Sequence, residues 1–156
     1  QYSASAVGEV NVVAKMREMN AVIGGEGNGG VIYPASHYGR DALVGVALFL
    51  THLAKKGKTV SELRAEYPNY YISKNKIELT PQIDVDGVLC VIKGCYKQFK
   101  VTDIDGVKID FPQGWVHLRK SNTEPIIRVY SEAPTREQAD RFAGAIIDEI
   151  KRIARI

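Results

Sequence analysis

Apolar residues recur at every third position near the start of the chain, at Val10, Val13, Met16 and Met19. That spacing predicts a helix over residues 8–19. The runs "AVIGG" and "VIYP" then read as short strands, the first ending in glycines and buried. Between them lies "GGEGNGG", residues 24–30, with five glycines in seven positions. Such a stretch can hold neither a helix nor a central strand, so it is a loop. Further on, Leu43, Val46, Leu50 and Leu53 form one stripe, widened by Ala47, Phe49 and Ala54. They predict a helix from about Asp41 to Lys55 whose broad apolar face is mostly buried. Asp41 suits its first turn, and "KKGK" ends it with basic residues and a glycine. In "TVSELRAEY", Thr59 and Glu62 have the spacing of a capping box.

The pattern changes over residues 67–75, "YPNYYISKN", a polar segment holding a proline. Before it, short strands alternate with helices. After it come a strand near Tyr70–Leu79, a helix near Asp84–Gln98 and then a run of strands. Asp105-Gly106 and Gln113-Gly114 mark hairpin turns. "WVHL" and "PIIRVYSEA" read as strands on either side of a polar stretch. A helix over 135–154 closes the chain, with Thr135 and Gln138 in capping-box spacing and Phe142, Ile146, Ile150 and Ile153 on one face. The order β-α-β-β-β-β-α predicts an antiparallel sheet of four to five strands with two helices on one side. The expected fold is therefore an α/β piece over residues 1–66, followed by an α+β domain over residues 68–156. No internal repeat or low-complexity tract interrupts this pattern.

Composition narrows the classes. At 45% hydrophobic and 25% charged, the 156 residues are those of an ordinary globular protein. The net charge of +3 comes from scattered Lys and Arg. Phosphate-backbone binders need a concentrated basic stripe, and no aromatic pair flanks one here, so nucleic acid is not an expected partner. Cys90 and Cys95 lie in an apolar run without the further ligands a zinc site or disulfide framework needs. They read as reduced core or helix residues, which suits a cytoplasmic protein. No apolar stretch reaches the ~18 residues of a membrane span, and no signal peptide is evident. The chain lacks an initial Met and enters an amphipathic pattern almost at once, as a piece of something longer would.

Two stretches carry candidate chemistry. In "GWVHLRKSNTEPIIRV", Arg119 offers a planar fork of donors that matches two phosphate oxygens. Ser121 and Thr123 add hydroxyls and Asn122 an amide, and backbone N–H groups in such a turn can form a nest for an anion. Glu124 is unfavourable beside a phosphate unless it faces away, for instance paired with Arg128. The same residues also suit a plain polar hairpin tip. In "GGEGNGG", Glu26 can accept hydrogen bonds from two neighbouring sugar hydroxyls, and Asn28 adds a donor and an acceptor. A glycine turn with an exposed acid explains the loop equally well. The loop is neither a P-loop nor a dinucleotide fingerprint. Arg40 is a candidate anion contact, or a partner for Asp41 or another acid. Ser36 and His37 are adjacent and lack an identifiable acid. His52 and His117 read as structural, and Trp115 as a core residue. No cluster has metal-ligand spacing.

Taken together, "GGEGNGG", "GRDAL" and, about eighty residues on, "RKSNTEPIIRV" resemble the α-D-phosphohexomutases, which include phosphoglucomutase/phosphomannomutase and phosphoglucosamine mutase. The resemblance runs the full length, with residues 1–66 similar to the later part of the third domain and 68–156 to the fourth. It implies an enzyme that interconverts hexose 1-phosphate and 6-phosphate through a phosphoserine, assisted by Mg²⁺. It implies that Arg119, Ser121, Asn122 and Thr123 hold the phosphate that is not reacting, and that Glu26 and Asn28 contact sugar hydroxyls. The partners implied are glucose, mannose or glucosamine phosphates and the enzyme's own N-terminal domains. Many members carry His where Gly30 stands, so an acid–base role there does not carry over. The phosphoserine and Mg²⁺ loops do not appear in this chain; "ASH" at 35–37 is a false echo of the former. No catalytic or metal-binding residue is therefore assigned, and the chain alone is expected to be inactive. Two other readings remain: a non-catalytic module for phosphorylated ligands, and nucleic-acid binding by the C-terminal sheet.

Overall fold

The computed structural model describes residues 1–80, 83–121 and 124–156. It divides into two units, Gln1–Tyr67 and Pro68–Ile156.

In the first unit, α1 (Glu9–Glu18) is followed by strands β1 (Gly24–Gly25), β2 (Val31–Tyr33) and β3 (His37–Arg40), then by helices α2 (Ala42–Lys56) and α3 (Val60–Ala65). The strands form an antiparallel sheet in the order β1-β2-β3. The expected strand "AVIGG" contracts to its two glycines. Gly24 admits no side chain, because a Cβ there would overlap Met16 of α1. Strand β3 was not legible, because the turn after β2 is short and "HYGR" shows no alternation. Asp41 caps α2, its Oδ1 accepting from the Val44 N–H at 3.0 Å, and Gly57 ends it at φ 63°. Thr59 and Glu62 form the capping box of α3.

The broad face of α2 departs from expectation. No α2 residue is fully buried, and Leu43 is 82% exposed, with Val46, Phe49 and Leu50 also exposed. The helix instead lies on β2 at Gly45, where an added Cβ would sit 3.2 Å from Val31. Three short strands cover only one side of such a helix. His52 shares its exposed surface rather than a structural niche.

In the second unit, β4 (Tyr71–Glu78), α4 (Val85–Cys95), β5 (Lys100–Thr102), β6 (Val107–Phe111), β7 (Gly114–Lys120), β8 (Ile126–Ala133) and α5 (Arg136–Ala154) follow in order. The sheet is antiparallel throughout, in the order β4-β8-β7-β6-β5. Strict alternation gives it one apolar face. Ile77, Val107, Ile109, Val116, Leu118, Ile127 and Val129 pack there against Val88, Leu89 and Ile92 of α4 and Ala143, Ile146 and Ile150 of α5. Thr135 caps α5 by accepting from the Gln138 N–H at 3.2 Å. Cys90 and Cys95 do lie on a helix, but both are exposed, because that core takes the opposite side of α4. Trp115 is also not a core residue. It occupies the other face of the sheet, donating to Glu132 Oε1 at 3.0 Å with the Lys108 ammonium 5.4 Å from its ring centre.

Candidate functional site

The glycine loop is the tip of the β1–β2 hairpin. Gly24 and Gly25 pair with Ile32 and Val31, and the Glu26 N–H donates to the Gly30 carbonyl at 3.0 Å. The Gly29 N–H returns to the Glu26 carbonyl at 3.0 Å, with Gly29 at φ 94°. Within this frame Asn28 folds back. Its Oδ1 accepts from the Gly30 N–H at 2.9 Å, and its Nδ2 stands 3.5 Å from Glu26 Oε2. The two residues that the sequence singles out are thus brought together. Asn28 is exposed, while the Glu26 side chain retains 16% exposure.

Arg40 comes to the same place from the end of β3. Its Nε donates to Glu9 Oε2 at 2.8 Å, its backbone N–H to Glu9 Oε1 at 3.1 Å, and its guanidinium lies 3.9 Å from Glu26 Oε2. The partner acids are Glu9 and Glu26, not the adjacent Asp41. The Arg40 backbone N–H, followed by its guanidinium, holds the Glu9 carboxyl below the usual range. An open cavity of about 360 Å³ is lined by Glu9, Gly29, Gly30, Arg40 and Asp41, among others. Glu9 was missed in the sequence because it reads as an ordinary acid in a first helical turn; its partner is 31 residues away.

His37 does find an acid. Its Nδ1 accepts from the Gly39 N–H at 3.1 Å, so in the neutral ring Nε2 carries the proton and donates to Asp41 Oδ2 at 3.0 Å. The Val44 N–H, then His37, lower the Asp41 pKa. Ser36 makes no hydrogen bond to His37 among the described residues; its N–H closes a turn onto the Tyr33 carbonyl at 2.9 Å.

The second cluster lies at the β7–β8 connection. The Ser121 N–H donates to the Ile126 carbonyl at 3.0 Å, and Ser121 Oγ accepts from the Glu124 N–H at 3.3 Å. The Leu79 N–H bonds the Pro125 carbonyl at 2.8 Å, tying the exit of the connection to the end of β4. Asn122 and Thr123, both assigned to the phosphate grip, lie outside the described residues. Arg119 stands 33% exposed on β7, its Nε 3.6 Å from Asp105 Oδ1. The neighbouring Lys120 points the other way and pairs with Asp86 at 2.9 Å.

The register adds a residue that sequence reasoning had assigned differently. Arg119 is directly opposite Arg128, and Arg128 is directly opposite Lys76. Residues so paired share a face, and like charges there repel. Arg128 forms no ion pair with Glu124, and neither residue has an ionic partner among the described residues. A cross-strand row of three cations therefore ends beside Ser121, tempered by Asp105 at Arg119 and Glu78 at Lys76, 3.1 Å away. His117, two residues before Arg119, is half-buried with Nε2 2.6 Å from the Asp105 carbonyl, a structural bond that steadies the Asp105 turn. Among the described residues no group of three His, Cys, Asp or Glu side chains could hold a metal ion, and no helix is long and apolar enough to cross a membrane.

Comparison with known proteins adds independent findings. Residues 1–71 match the family model for phosphoglucomutase/phosphomannomutase, alpha/beta/alpha domain III. Residues 53–149 match the model for the C-terminal domain of the same family. A phosphoglucosamine/phosphogalactosamine mutase of Sulfurisphaera tokodaii is 38% identical over 149 residues, 94% of this chain and 32% of its own length. The crystal structure of a phosphoglucomutase/phosphomannomutase family protein from Burkholderia thailandensis superposes with a TM-score of 0.72 at 26% identity, over 94% of this chain and 31% of that one. N-acetylphosphoglucosamine mutase of Aspergillus fumigatus, in complex with GlcNAc-6P and magnesium, shares the fold at 17% identity with a TM-score of 0.60, over 94% of this chain and 36% of its own. The chain spans about a third of the length of the curated relatives it matches.

Proposed function

The chain belongs to the phosphoglucomutase/phosphomannomutase family, and we propose that it supplies the sugar-reading and phosphate-holding part of an enzyme that interconverts hexose 1-phosphate and hexose 6-phosphate. In that enzyme a phosphoserine donates its phosphoryl group, and the resulting bisphosphate returns the other phosphate to the serine. The serine, and the ligands of the Mg²⁺ such an enzyme uses, belong to domains outside this chain. Those domains also offer cover for the exposed stripe of α2.

The roles follow from the chemistry. A phosphoryl transfer is driven mainly by positioning and charge stabilisation. Because the substrate must be held in either of two orientations, one site has to accept whichever phosphate is idle. Arg119, Arg128, Ser121, Asn122 and Thr123 form that grip, and Glu26 and Asn28 read sugar hydroxyls. The single observation that carries this reading is the register of Arg119 opposite Arg128. Two like charges placed face to face at a hydroxyl-bearing turn are a cost to folding that a dianion between them reverses.

Glucose 6-phosphate added to the 156-residue chain should move the backbone amide signals of Arg119 and Ser121 and those of residues 26–30. Arg119→Ala should abolish the first response and leave the second. Silence at both loops up to the highest soluble ligand concentration overturns the reading. An equal response at Arg119 to a phosphoserine peptide, with residues 26–30 silent, turns it into a non-catalytic phosphate-binding module.

A further inference from the structure

The most closely knit charged group in the first unit is Glu9, Arg40 and Glu26, and Arg40 stands at its centre. Its guanidinium and backbone N–H are both spent on the two oxygens of Glu9, at 2.8 and 3.1 Å. One carboxylate thus ties the Arg40 backbone and the Nε end of its guanidinium to the same point, which restricts how far the fork can swing. The remaining edge of the guanidinium faces Glu26 Oε2 at 3.9 Å, a charge attraction without a full hydrogen bond. Its aliphatic stem passes over Gly30, where an added Cβ would lie 2.8 Å from Arg40 Cδ. Arg40 thus forms one wall of the cavity whose edge carries the glycine loop.

We propose that Arg40, anchored by Glu9, is a positioning residue that holds the Glu26 carboxylate in the orientation that receives sugar hydroxyls. This role rests on the reading that Glu26 meets the sugar. The loop around Glu26 is rich in glycine and cannot by itself fix a carboxylate in space. Asn28 supplies one weak tether at 3.5 Å. An oriented cation on the far side restrains the other degree of freedom while leaving both oxygens of Glu26 able to accept from hydroxyls. Glu9 matters only through Arg40, so removing either should have the same effect.

The test follows amide signals of the 156-residue chain as glucose 6-phosphate is added, in the unsubstituted protein and in Arg40→Gln, Arg40→Lys, Glu9→Gln and the double variant Glu9→Gln/Arg40→Gln. Inorganic phosphate is titrated in parallel. The expected result is a loss of about ten-fold in sugar-phosphate affinity at residues 26–30 for Arg40→Gln, the scale of one oriented charged contact. Glu9→Gln should show the same loss, and the double variant no further one. Arg40→Lys should recover part of it, since it keeps the charge and loses the fork. The response of Arg119 and Ser121 to inorganic phosphate should be unchanged in every variant, and dispersed amide signals from β1, β2 and β3 verify that the first unit, which carries the substitutions, remains folded. The proposal is overturned if Arg40→Gln binds glucose 6-phosphate as the unsubstituted chain does, or if the losses from Glu9→Gln and Arg40→Gln add. Should Arg40→Gln not fold, Arg40→Lys and Glu9→Gln decide: unaltered affinity in both overturns the proposal. A chain that responds at Arg119 but never at residues 26–30 instead removes the sugar reading, and this role with it.

Discussion

In the proposed phosphate grip, Arg128 is the side chain that would trade stability for binding. It lies between Arg119 on one neighbouring strand and Lys76 on the other. Like charges directly opposite cost about 0.2–1 kcal/mol each. Arg128→Ala should therefore raise the melting temperature slightly in phosphate-free buffer, while weakening glucose 6-phosphate binding at Ser121; thermal melts with and without ligand read both effects. Arg119 was legible as a candidate for the proposed grip from its own surroundings, a basic residue beside hydroxyls at a turn. Arg128 was not, because its place opposite Arg119 depends on a cross-strand register that appears only once the hairpin is built. Glu9 was hidden for the same reason at longer range. Tyr96 gives a different residue-scale prediction. Burial, then its hydrogen bond to Glu149 at 2.7 Å, push its pKa up from 10.0 to about 12. A pKa raised in the folded state means that the stability from this bond is complete below pH 10 and is lost as the pH climbs toward 12. Of the eight tyrosines, this one should ionise late in an ultraviolet absorbance titration, and Tyr96→Phe should remove that late step.

At the level of elements, turns and caps were the most readable features, since their signals are local. Thr59 and Thr135 cap the helices their spacing announced, and Asp41, read as an acid of the first turn, is the N-cap itself. Gly106 was also legible as a turn, but its constraint is tighter than a turn alone requires. It sits at φ 73°, and a Cβ there would overlap the carbonyl of Leu118. Asp105, which precedes it, contacts Arg119. Gly106→Ala should cost about 1–3 kcal/mol in chemical denaturation, the scale of a strained backbone, and should shift the Arg119 amide signal. The α2 stripe was misjudged for an instructive reason. Periodicity reports that a helix has an apolar face, but burial of that face depends on how many layers surround it. In the first unit, Val31 of β2 meets Gly45, and Leu43, Val46 and Leu50 remain exposed.

For the molecule as a whole, the division of apolar burial decides where stability resides. The first unit fully buries Met16, Ile32 and Leu63, whereas the second buries a continuous cluster from β4 through α5. Hydrophobic burial is the main favourable contribution to folding. Amide hydrogens of β7, β8 and α5 should therefore exchange by global unfolding, and those of β1, β2 and β3 by a much cheaper local opening. Hydrogen exchange followed by mass spectrometry resolves the two; equal protection in both units would contradict this assignment. The antiparallel sheet with its two helices was readable because alternation, turns and caps all agreed. The first unit was harder because its strands are two to four residues long. Such strands are too short for a period of two to announce itself.

The close passage of Arg40 over Gly30 couples the two positions in the space they occupy. Gly30 is not at positive φ, so what limits a side chain there is space: an added Cβ would lie 2.8 Å from Arg40 Cδ and 3.2 Å from Asn28 Oδ1, and the Arg40 stem would have to shift. A library randomised at position 30 alone should return small residues, whereas one that also shortens position 40 should open the site to a ring such as histidine. The two arrangements are alternative fillings of one hole, and passing between them by single steps means traversing either a clash or an empty cavity.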